Sequence, residues 1–276
     1  MRVMRHYFSY IKLINSKDAS NTGMPSLGLS SLYVTLFDHP LESFLGDIHH
    51  HQLGSAEVVN FKSTVLNNHN IAALKKTNGV KLTVHSALDT SSDICNPHSD
   101  ARQTALRKLK QSIDDAVDIG AVGFVQHPGT KTFDIENGRE LNSESMLELI
   151  DYGNSRGIKV LIENMAPTKS FMSSPSEFMD FIKTNNVNLD MAFDTGHAHM
   201  AGNIDEFIQQ LSSHFFLVHI TDNDGVSDTH LNIGEGTIDW KLLIGGLLKQ
   251  RFNGSYIVEA VKDPMKSIDS LKELLK

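Results

Sequence analysis

Histidine and carboxylate side chains close six successive apolar segments of this 276-residue chain. These residues are His85, His127, Glu163, Asp194, His219 and Glu259. Imidazole and carboxylate groups hold Zn²⁺ or Mn²⁺ in sites that keep one position open for a substrate. A single residue of this kind is more often a loop hydrogen-bonder, but that explanation would have to hold separately at every one of these places. The pattern therefore predicts a divalent-metal site.

Composition limits the kinds of site and partner. The only cysteine, Cys95, excludes an internal disulfide and a thiolate-rich metal site, whereas 14 histidines are available. Cys95 lies in no catalytic motif and is expected to be a buried thiol. A net charge of -8 argues against a broad basic surface for nucleic acid. No apolar run is long enough for a membrane-spanning helix, so we expect a cytoplasmic protein without a membrane partner.

The segments that carry these residues alternate with amphipathic stretches. The predicted strands are Leu27–Val34, Ala56–Phe61, Val80–His85, Ala121–His127, Lys159–Glu163, Asn188–Asp194, Phe215–Ile220 and Ser255–Ala260. The predicted helices are Pro40–Leu53, Asn68–Asn78, Ser99–Ile119, Ser143–Arg156, Pro175–Thr184, Ile204–Ser213, Asp239–Arg251 and Pro264–Leu275. Strand followed by helix, repeated eight times over about 250 residues, is typical of the α/β class and of a single (β/α)8 TIM barrel.

An open, doubly wound sheet is the alternative architecture. Such a sheet usually has a glycine-rich phosphate turn after its first strand, but Thr35–His39 contains no glycine. No linker-like or low-complexity segment divides the chain. We therefore expect one domain over residues 25–276, preceded by a flexible N-terminal extension of residues 1–24. The loops Thr35–His39 and Lys62–Asn67 are expected to determine the substrate.

A barrel explains how residues far apart in the sequence can act together, because the carboxyl ends of its strands meet at one mouth. His197 follows Asp194 closely, and the pair Asp228 and His230 follows the seventh predicted strand. The turn Gly234-Glu235-Gly236 is expected to support that loop. The other histidines have no such arrangement: His49–His51 are expected on a partly solvated helix face, and His199 behind the metal-binding residues.

These motifs resemble those of the xylose isomerase-like TIM-barrel superfamily. That superfamily includes sugar-phosphate isomerases and epimerases and the endonuclease IV type of abasic-site nuclease, AP endonuclease family 2. The resemblance runs from about Leu27 to Glu259. Its most specific pieces are Val125–Gly129 (VQHPG), Ile162–Asn164 (IEN), Phe193–His197 (FDTGH), His219–Asp222 (HITD) and Asp228–Gly236 (DTHLNIGEG).

The two branches of the superfamily imply different sites. The isomerase and epimerase branch implies one metal ion held by Glu163, Asp194, His219 and Glu259, with the two glutamates moving a proton on opposite faces of the sugar. The nuclease branch implies three zinc ions. Its nine ligands are all present here: His85, His127, Glu163, Asp194, His197, His219, Asp228, His230 and Glu259.

Three departures distinguish the chain from the nuclease pattern. Ser86-Ala87-Leu88 stands where the nucleases have an aromatic segment, Thr229 stands where they have an arginine, and the loop Ile220–Ser227 is shorter than theirs. Those elements grip phosphates and push into the duplex around an extruded sugar. The departures therefore favour a small substrate over DNA.

The sequence thus predicts a divalent-metal-dependent isomerase or epimerase of a sugar or sugar phosphate, working by proton transfer through an enediolate. Glu163 and Glu259 are the predicted catalytic residues. The predicted cofactor is Zn or Mn, with one to three ions. The alternative is an endonuclease IV-like zinc phosphodiesterase acting on abasic DNA, so nucleic acid is the less favoured partner.

Overall fold

The computed structural model describes residues 25–60, 65–77, 79–87, 93–131 and 135–276. Within them, eight parallel strands follow one another in chain order around a closed barrel, and β8 pairs with β1. The predicted (β/α)8 barrel is confirmed. The strands are β1 (Ser26–Ser30), β2 (Ser55–Val59), β3 (Lys81–His85), β4 (Gly123–Gln126), β5 (Lys159–Glu163), β6 (Asp190–Asp194), β7 (Phe215–Ile220) and β8 (Ser255–Val258).

Helices follow the strands and cover the outside of the barrel. Those in the described ranges are α1 (Leu32–Leu36), α2 (Leu41–His50), α3 (Asn68–Leu74), α4 (Ser99–Asp118), α5 (Ile135–Arg156), α6 (Pro175–Asn185), α7 (Thr195–Ala201), α8 (Ile204–Leu211), α9 (Trp240–Lys249) and α10 (Met265–Leu274), with a 3₁₀ turn at Ser212–His214. None of the helices described has the length and apolar character needed to cross a membrane. The predicted N-terminal extension, residues 1–24, and Lys62 lie outside the described residues.

The first predicted strand was too long. β1 ends at Ser30, and the apolar residues after it belong to α1, so the predicted loop Thr35–His39 begins inside a helix. The backbone N–H of Ser31 donates to the carbonyl of Glu57, and the carbonyl of Ser31 then accepts from Val34. A short apolar run is compatible with either a strand or a buried helix, so periodicity alone could not separate them.

The predicted helix Ser143–Arg156 begins too late. The structure has α5 from Ile135, eight residues before the predicted start at Ser143. Gly138 lies in this missed part, and a Cβ there would lie 2.9 Å from Cζ of Phe171. Close packing against Phe171 thus requires glycine at this position. Since glycine has a low helix propensity, the local sequence did not predict a helix here. The other predicted elements are found, with their ends shifted by a few residues.

The interior of the barrel is filled by a small apolar cluster from the last five strands: Val125, Leu161, Ala192, Leu217 and Ile257. Each member lies two residues before one of the predicted metal-binding residues. Since side chains two apart on a strand point to the same face, the barrel closes an apolar layer directly below the polar mouth. A second, larger core lies between the barrel and its helices.

Gly28 tests how closely β1 is packed in the barrel. A Cβ at this position would lie 2.6 Å from Cδ1 of Ile257 and 2.7 Å from the carbonyl oxygen of Ser55. Gly28→Ala is expected to lower the free energy of unfolding by about 1–3 kcal/mol, the usual cost of overpacking. Gly46→Ala is the control, since a Cβ there meets nothing within 4 Å and lies on helix α2. It should stabilise by about 0.5–1 kcal/mol. Urea unfolding measures both; equal effects would contradict close packing at Gly28.

Candidate metal centre

Glu163 lies at the centre of the polar mouth, the cluster of histidine and carboxylate side chains at the carboxyl ends of the strands. It ends β5, is 1% exposed, and has histidines from other strand ends around its carboxylate. Oε2 lies 3.1 Å from Nε2 of His85 and 2.9 Å from Nε2 of His127, and Oε1 lies 3.3 Å from Nδ1 of His219. Nδ1 of His219 also lies 3.6 Å from Oε2 of Glu259. The ends of β3, β4, β5, β7 and β8 therefore meet as predicted.

Asp194 has one oxygen engaged and one free. It precedes α7, and its Oδ1 accepts a 2.6 Å hydrogen bond from the backbone N–H of His197, which caps that helix. Its buried Oδ2 has no hydrogen-bond partner. Asn164 fixes the backbone on both sides, accepting from the N–H of Asp194 at 2.7 Å and donating to its carbonyl at 2.9 Å. The unpartnered oxygen is thus held in place by local structure.

His197 lies on helix α7, which was not among the predicted helices. As part of the first turn of α7 it points back over the strand ends. Its Nδ1 lies 3.5 Å from Oε1 of Glu163 and from Oδ1 of Asp194, and 2.9 Å from the carbonyl oxygen of Asn164. Its Nε2 lies 3.3 Å from Oδ2 of Asp228. His197 therefore joins the β5–β6 side of the mouth to the loop after β7.

That loop is held by Asp222. The Asp222 carboxylate accepts from the backbone N–H of Gly234 at 2.9 Å and from Nε1 of Trp240 at 2.8 Å, and its backbone pairs with Leu231. Gly234 has φ 83° and lies in the predicted turn. This arrangement presents Asp228 and His230, whose facing atoms are 3.5 Å apart, to the mouth.

Glu57 belongs to the site and was missed by the sequence analysis. It lies in the middle of β2, is fully buried, and has Oε1 at 3.1 Å from Nε2 of His219. The pattern that predicted the site was confined to strand ends, and Glu57 lies one layer deeper. The signal that could have found it is a carboxylate in the middle of a short strand whose other residues are small or apolar, because burying such a charge is costly unless it is paired.

The residues fit a divalent cation. Within the described residues, three groups each offer three ligand atoms lying within 4.8 Å of one another. These groups are His85, His127 and Glu163; Glu163, Asp194 and His197; and Glu57, His219 and Glu259. Buried atoms without hydrogen-bond partners include Oδ2 of Asp194 and Oε1 of Glu57. A set of imidazoles and carboxylates without thiols suits Zn²⁺ or Mn²⁺. All nine predicted residues lie in this one connected cluster.

Burial and neighbouring charges move the pKa values in the cluster apart. Burial raises the pKa of Glu259 to about 7. Burial acts in the same direction on Glu163, but His127 and His219 hold its pKa well below the usual range. Two carboxyl groups at one mouth thus differ in their affinity for a proton, as acid–base pairs in active sites do.

A cavity of about 130 Å³ opens above the cluster. Its described walls are Leu32, Val59, His85, His127, Glu163, Met165, His197, Asp228, His230 and Glu259. Ligand sites for drug-sized molecules are commonly about 300–1,000 Å³, so this cavity suits a small substrate. None of the described wall residues is Lys or Arg.

The other described histidines are not among these groups of ligand atoms. His49 and His50 are exposed on α2, as predicted. Nε2 of His199 lies 2.8 Å from the hydroxyl of Thr237 and so supports the loop after β7 rather than the cluster. Cys95 is a buried free thiol, also as predicted.

Comparison with known proteins agrees with the resemblance that the motifs indicated. The model of a family described as xylose isomerase-like TIM barrel matches residues 33–276. The uncharacterized protein MJ1311 of Methanocaldococcus jannaschii is 28% identical over 265 residues, covering 90% of this chain and 88% of that protein. The crystal structure of a D-tagatose 3-epimerase-like protein has a TM-score of 0.81 and 26% identity, covering 91% of this chain and 97% of that one. The IOLI protein, solved with a zinc atom, has a TM-score of 0.77 and 17% identity, covering 91% and 98%.

The metal-free protein should lose stability as the pH rises. Burial alone would lower the pKa of His85 and His230, but Glu163 beside the first and Asp228 beside the second raise both to about 9 from 6.5. Because each histidine binds its proton more tightly in the folded protein than in the unfolded chain, protonation stabilises the fold. This contribution is complete below pH 6.5, the pKa in the unfolded chain, and is lost as the pH rises past about 9, the pKa in the folded protein. Urea unfolding of chelator-treated protein across this range measures the loss.

Two variants and one addition complete that test. His230→Gln should flatten the pH dependence, whereas His49→Gln, on the exposed face of α2, should leave it unchanged. Added zinc should reverse the slope, because ligands must lose protons to bind it. A stability that stays level from neutral to alkaline pH would contradict the charge arrangement described here.

Proposed function

The chain belongs to the xylose isomerase-like TIM-barrel family, and from that premise we propose that it is a divalent-metal-dependent isomerase or epimerase of a small sugar or sugar phosphate. The observation that carries the proposal is the placement of two carboxylates against one nitrogen. Oε1 of Glu163 and Oε2 of Glu259 lie 3.3 and 3.6 Å from Nδ1 of His219. The D-tagatose 3-epimerase-like protein, 26% identical, supports the substrate class.

If the site holds one metal ion, four residues would bind it: Glu163, Asp194, His219 and Glu259. A bound divalent cation supplies Lewis-acid chemistry, stabilising negative charge that develops on substrate oxygens. The free, buried Oδ2 of Asp194 and the zinc atom in the structure of the IOLI protein support this assignment.

Glu163 and Glu259 would move the proton. One carboxylate removes a proton from the carbon beside a carbonyl group and leaves an enediolate. An epimerase then returns a proton to the same carbon from the opposite face, whereas an isomerase returns it to the former carbonyl carbon. In the metal-free protein, neighbouring histidines hold the pKa of Glu163 well below its usual range, whereas burial raises the pKa of Glu259 to about 7, so the two carboxylates differ in proton affinity. Acid–base work of this kind contributes about 10²- to 10⁴-fold in rate.

Apolar walls would keep water from the reacting carbon. Leu32, Val59 and Met165 line the cavity opposite the charged residues. Exclusion of water strengthens the electrostatic interactions inside the cavity and protects a reactive intermediate. A cytoplasmic location fits such a metabolic role and is part of this proposal.

The alternative is an endonuclease IV-like zinc phosphodiesterase. It is favoured by the clustering of His85, His127, Asp228 and His230 with the other predicted ligands, because a single ion does not need them. Phosphodiester hydrolysis typically uses two or more metal ions, which stabilise the attacking oxygen and the leaving oxygen at the same time. The small cavity, with no Lys or Arg among its described wall residues, favours the sugar.

One preparation can separate the two candidates. Protein loaded with Mn or Zn is incubated with a panel of ketoses, aldoses and their phosphates in D2O, and C–H exchange is followed by NMR. The same protein is given duplex DNA with one abasic site, and metal is counted per chain. We expect exchange without cleavage and close to one ion. Cleavage without exchange on any sugar, with three ions, would establish the alternative instead.

Two substitutions distinguish one ion from several. Glu259→Gln removes a proton carrier and a ligand, so C–H exchange should fall by about 10²-fold or more. His85→Ala should cost much less, since His85 lies 3.1 Å from Glu163 but is no ligand in the single-ion form. His49→Ala is the control, because this histidine is exposed on α2 and lies outside the cluster. Equal losses from the first two changes would contradict the single-ion form.

A further inference from the structure

Glu57 lies inside the barrel, below the candidate metal centre. It stands opposite Thr83 in the β2–β3 pairing, one layer deeper than His85. Its side chain is fully buried and it is not among the described residues that line the cavity. A substrate in the cavity therefore does not reach Glu57, and a role for this carboxylate must pass through a neighbouring side chain.

Each oxygen of Glu57 has its own neighbour. Oε1 lies 3.1 Å from Nε2 of His219, and both of these buried atoms are without any other hydrogen-bond partner among the described residues. Oε2 accepts a 3.1 Å hydrogen bond from the hydroxyl of Thr83. The carboxylate of Glu57, oriented by the hydroxyl of Thr83, therefore faces one edge of the His219 ring.

The other edge of that ring faces the candidate metal ligands. Nδ1 of His219 lies 3.3 Å from Glu163, 3.9 Å from Asp194 and 3.6 Å from Glu259. The ring is fully buried, so neither nitrogen is in contact with bulk solvent. His219 thus bridges an acidic layer at the mouth and a single acid beneath it.

We propose that Glu57 is a positioning residue that accepts a hydrogen bond from Nε2–H of His219 and thereby directs Nδ1 to the metal ion. The inference rests on the metal site of the proposed function. A carboxylate behind a ligating histidine fixes its tautomer and ring orientation and makes the ligating nitrogen more basic. Removing such a partner commonly weakens metal binding by about 10- to 100-fold.

The competing role is that of a direct ligand. Glu57, His219 and Glu259 do offer three ligand atoms within 4.8 Å of one another. An ion held between Glu57 and Nε2 of His219 would lie below the cavity floor, where no position stays open for a substrate. Thr83 also occupies the second oxygen of Glu57. These contacts favour the positioning role, and the metal stoichiometry separates the two.

The test compares zinc binding by wild type, Glu57→Gln and Glu177→Gln, using calorimetry and metal analysis. Glu177→Gln is the matched control, because Glu177 lies on α6 and bonds to Ser173. We expect Glu57→Gln to weaken zinc binding about 10- to 100-fold with an unchanged number of ions per chain. Unchanged affinity, or the loss of one ion per chain, would overturn the inference.

A spectroscopic signature distinguishes positioning from general support of the fold. In zinc-loaded protein with ¹⁵N-labelled histidine, we expect the His219 ring to carry its proton on Nε2, with a downfield N–H resonance. That resonance should move upfield in Glu57→Gln and stay in place in the control. A proton on Nδ1 in the wild type would contradict the proposal.

A second substitution covers the case in which Glu57→Gln does not fold, as judged by circular dichroism. Thr83→Val removes the hydroxyl that orients Glu57 and should weaken zinc binding by a smaller factor than Glu57→Gln does. Thr83→Ser keeps a hydroxyl at this position and should bind zinc as the wild type does. No change in Thr83→Val would overturn the inference. Wild-type protein that binds no zinc or manganese would instead overturn the proposed function, so the two failures are distinct.

Discussion

Four carboxylates, those of Glu57, Glu163, Asp194 and Glu259, lie at one end of the barrel with no more than 4% of any of them exposed. Ionised acids so close together and so far from water repel one another, and burying them is costly unless positive charge is near. The surrounding histidines supply that charge when they are protonated, and a bound divalent cation would supply it when they are neutral. The arrangement of the mouth follows from this need for positive charge.

The protein holds these charged side chains in place with hydrogen bonds from the residues around them. Asn164 fixes the backbone of Asp194 from both sides, and the hydroxyl of Thr195 donates to the carbonyls of His219 and Thr221. Asp222 holds the loop that carries Asp228 and His230. Because these contacts are local and satisfied, the candidate ligands are arranged before an ion binds, which lowers the entropy that binding must overcome.

The same arrangement is compatible with both candidate activities. A proton transfer needs two carboxylates beside one substrate, and the pKa values of Glu163 and Glu259 differ in the metal-free protein. Phosphodiester hydrolysis needs further ions, and the additional histidines could hold them. The small cavity favours the first activity. Glu57 adds a layer beneath either site, since a ligating histidine needs a partner on its second nitrogen.

Local sequence was sufficient for the barrel and for the ligands at its strand ends. Alternation along a strand is a property of the backbone, so Leu161 below Glu163 and Leu217 below His219 could be read directly. α1 and the first turns of α5 could not be predicted, because hydrogen bonds to β2 and packing of Gly138 against Phe171 decide them. Glu57 was equally hidden: its partner, His219, lies across the barrel, and only closure of the sheet brings a carboxylate of β2 to the ring of a residue on β7. Sequence determined which groups point inward, whereas the closed sheet decided which of them meet.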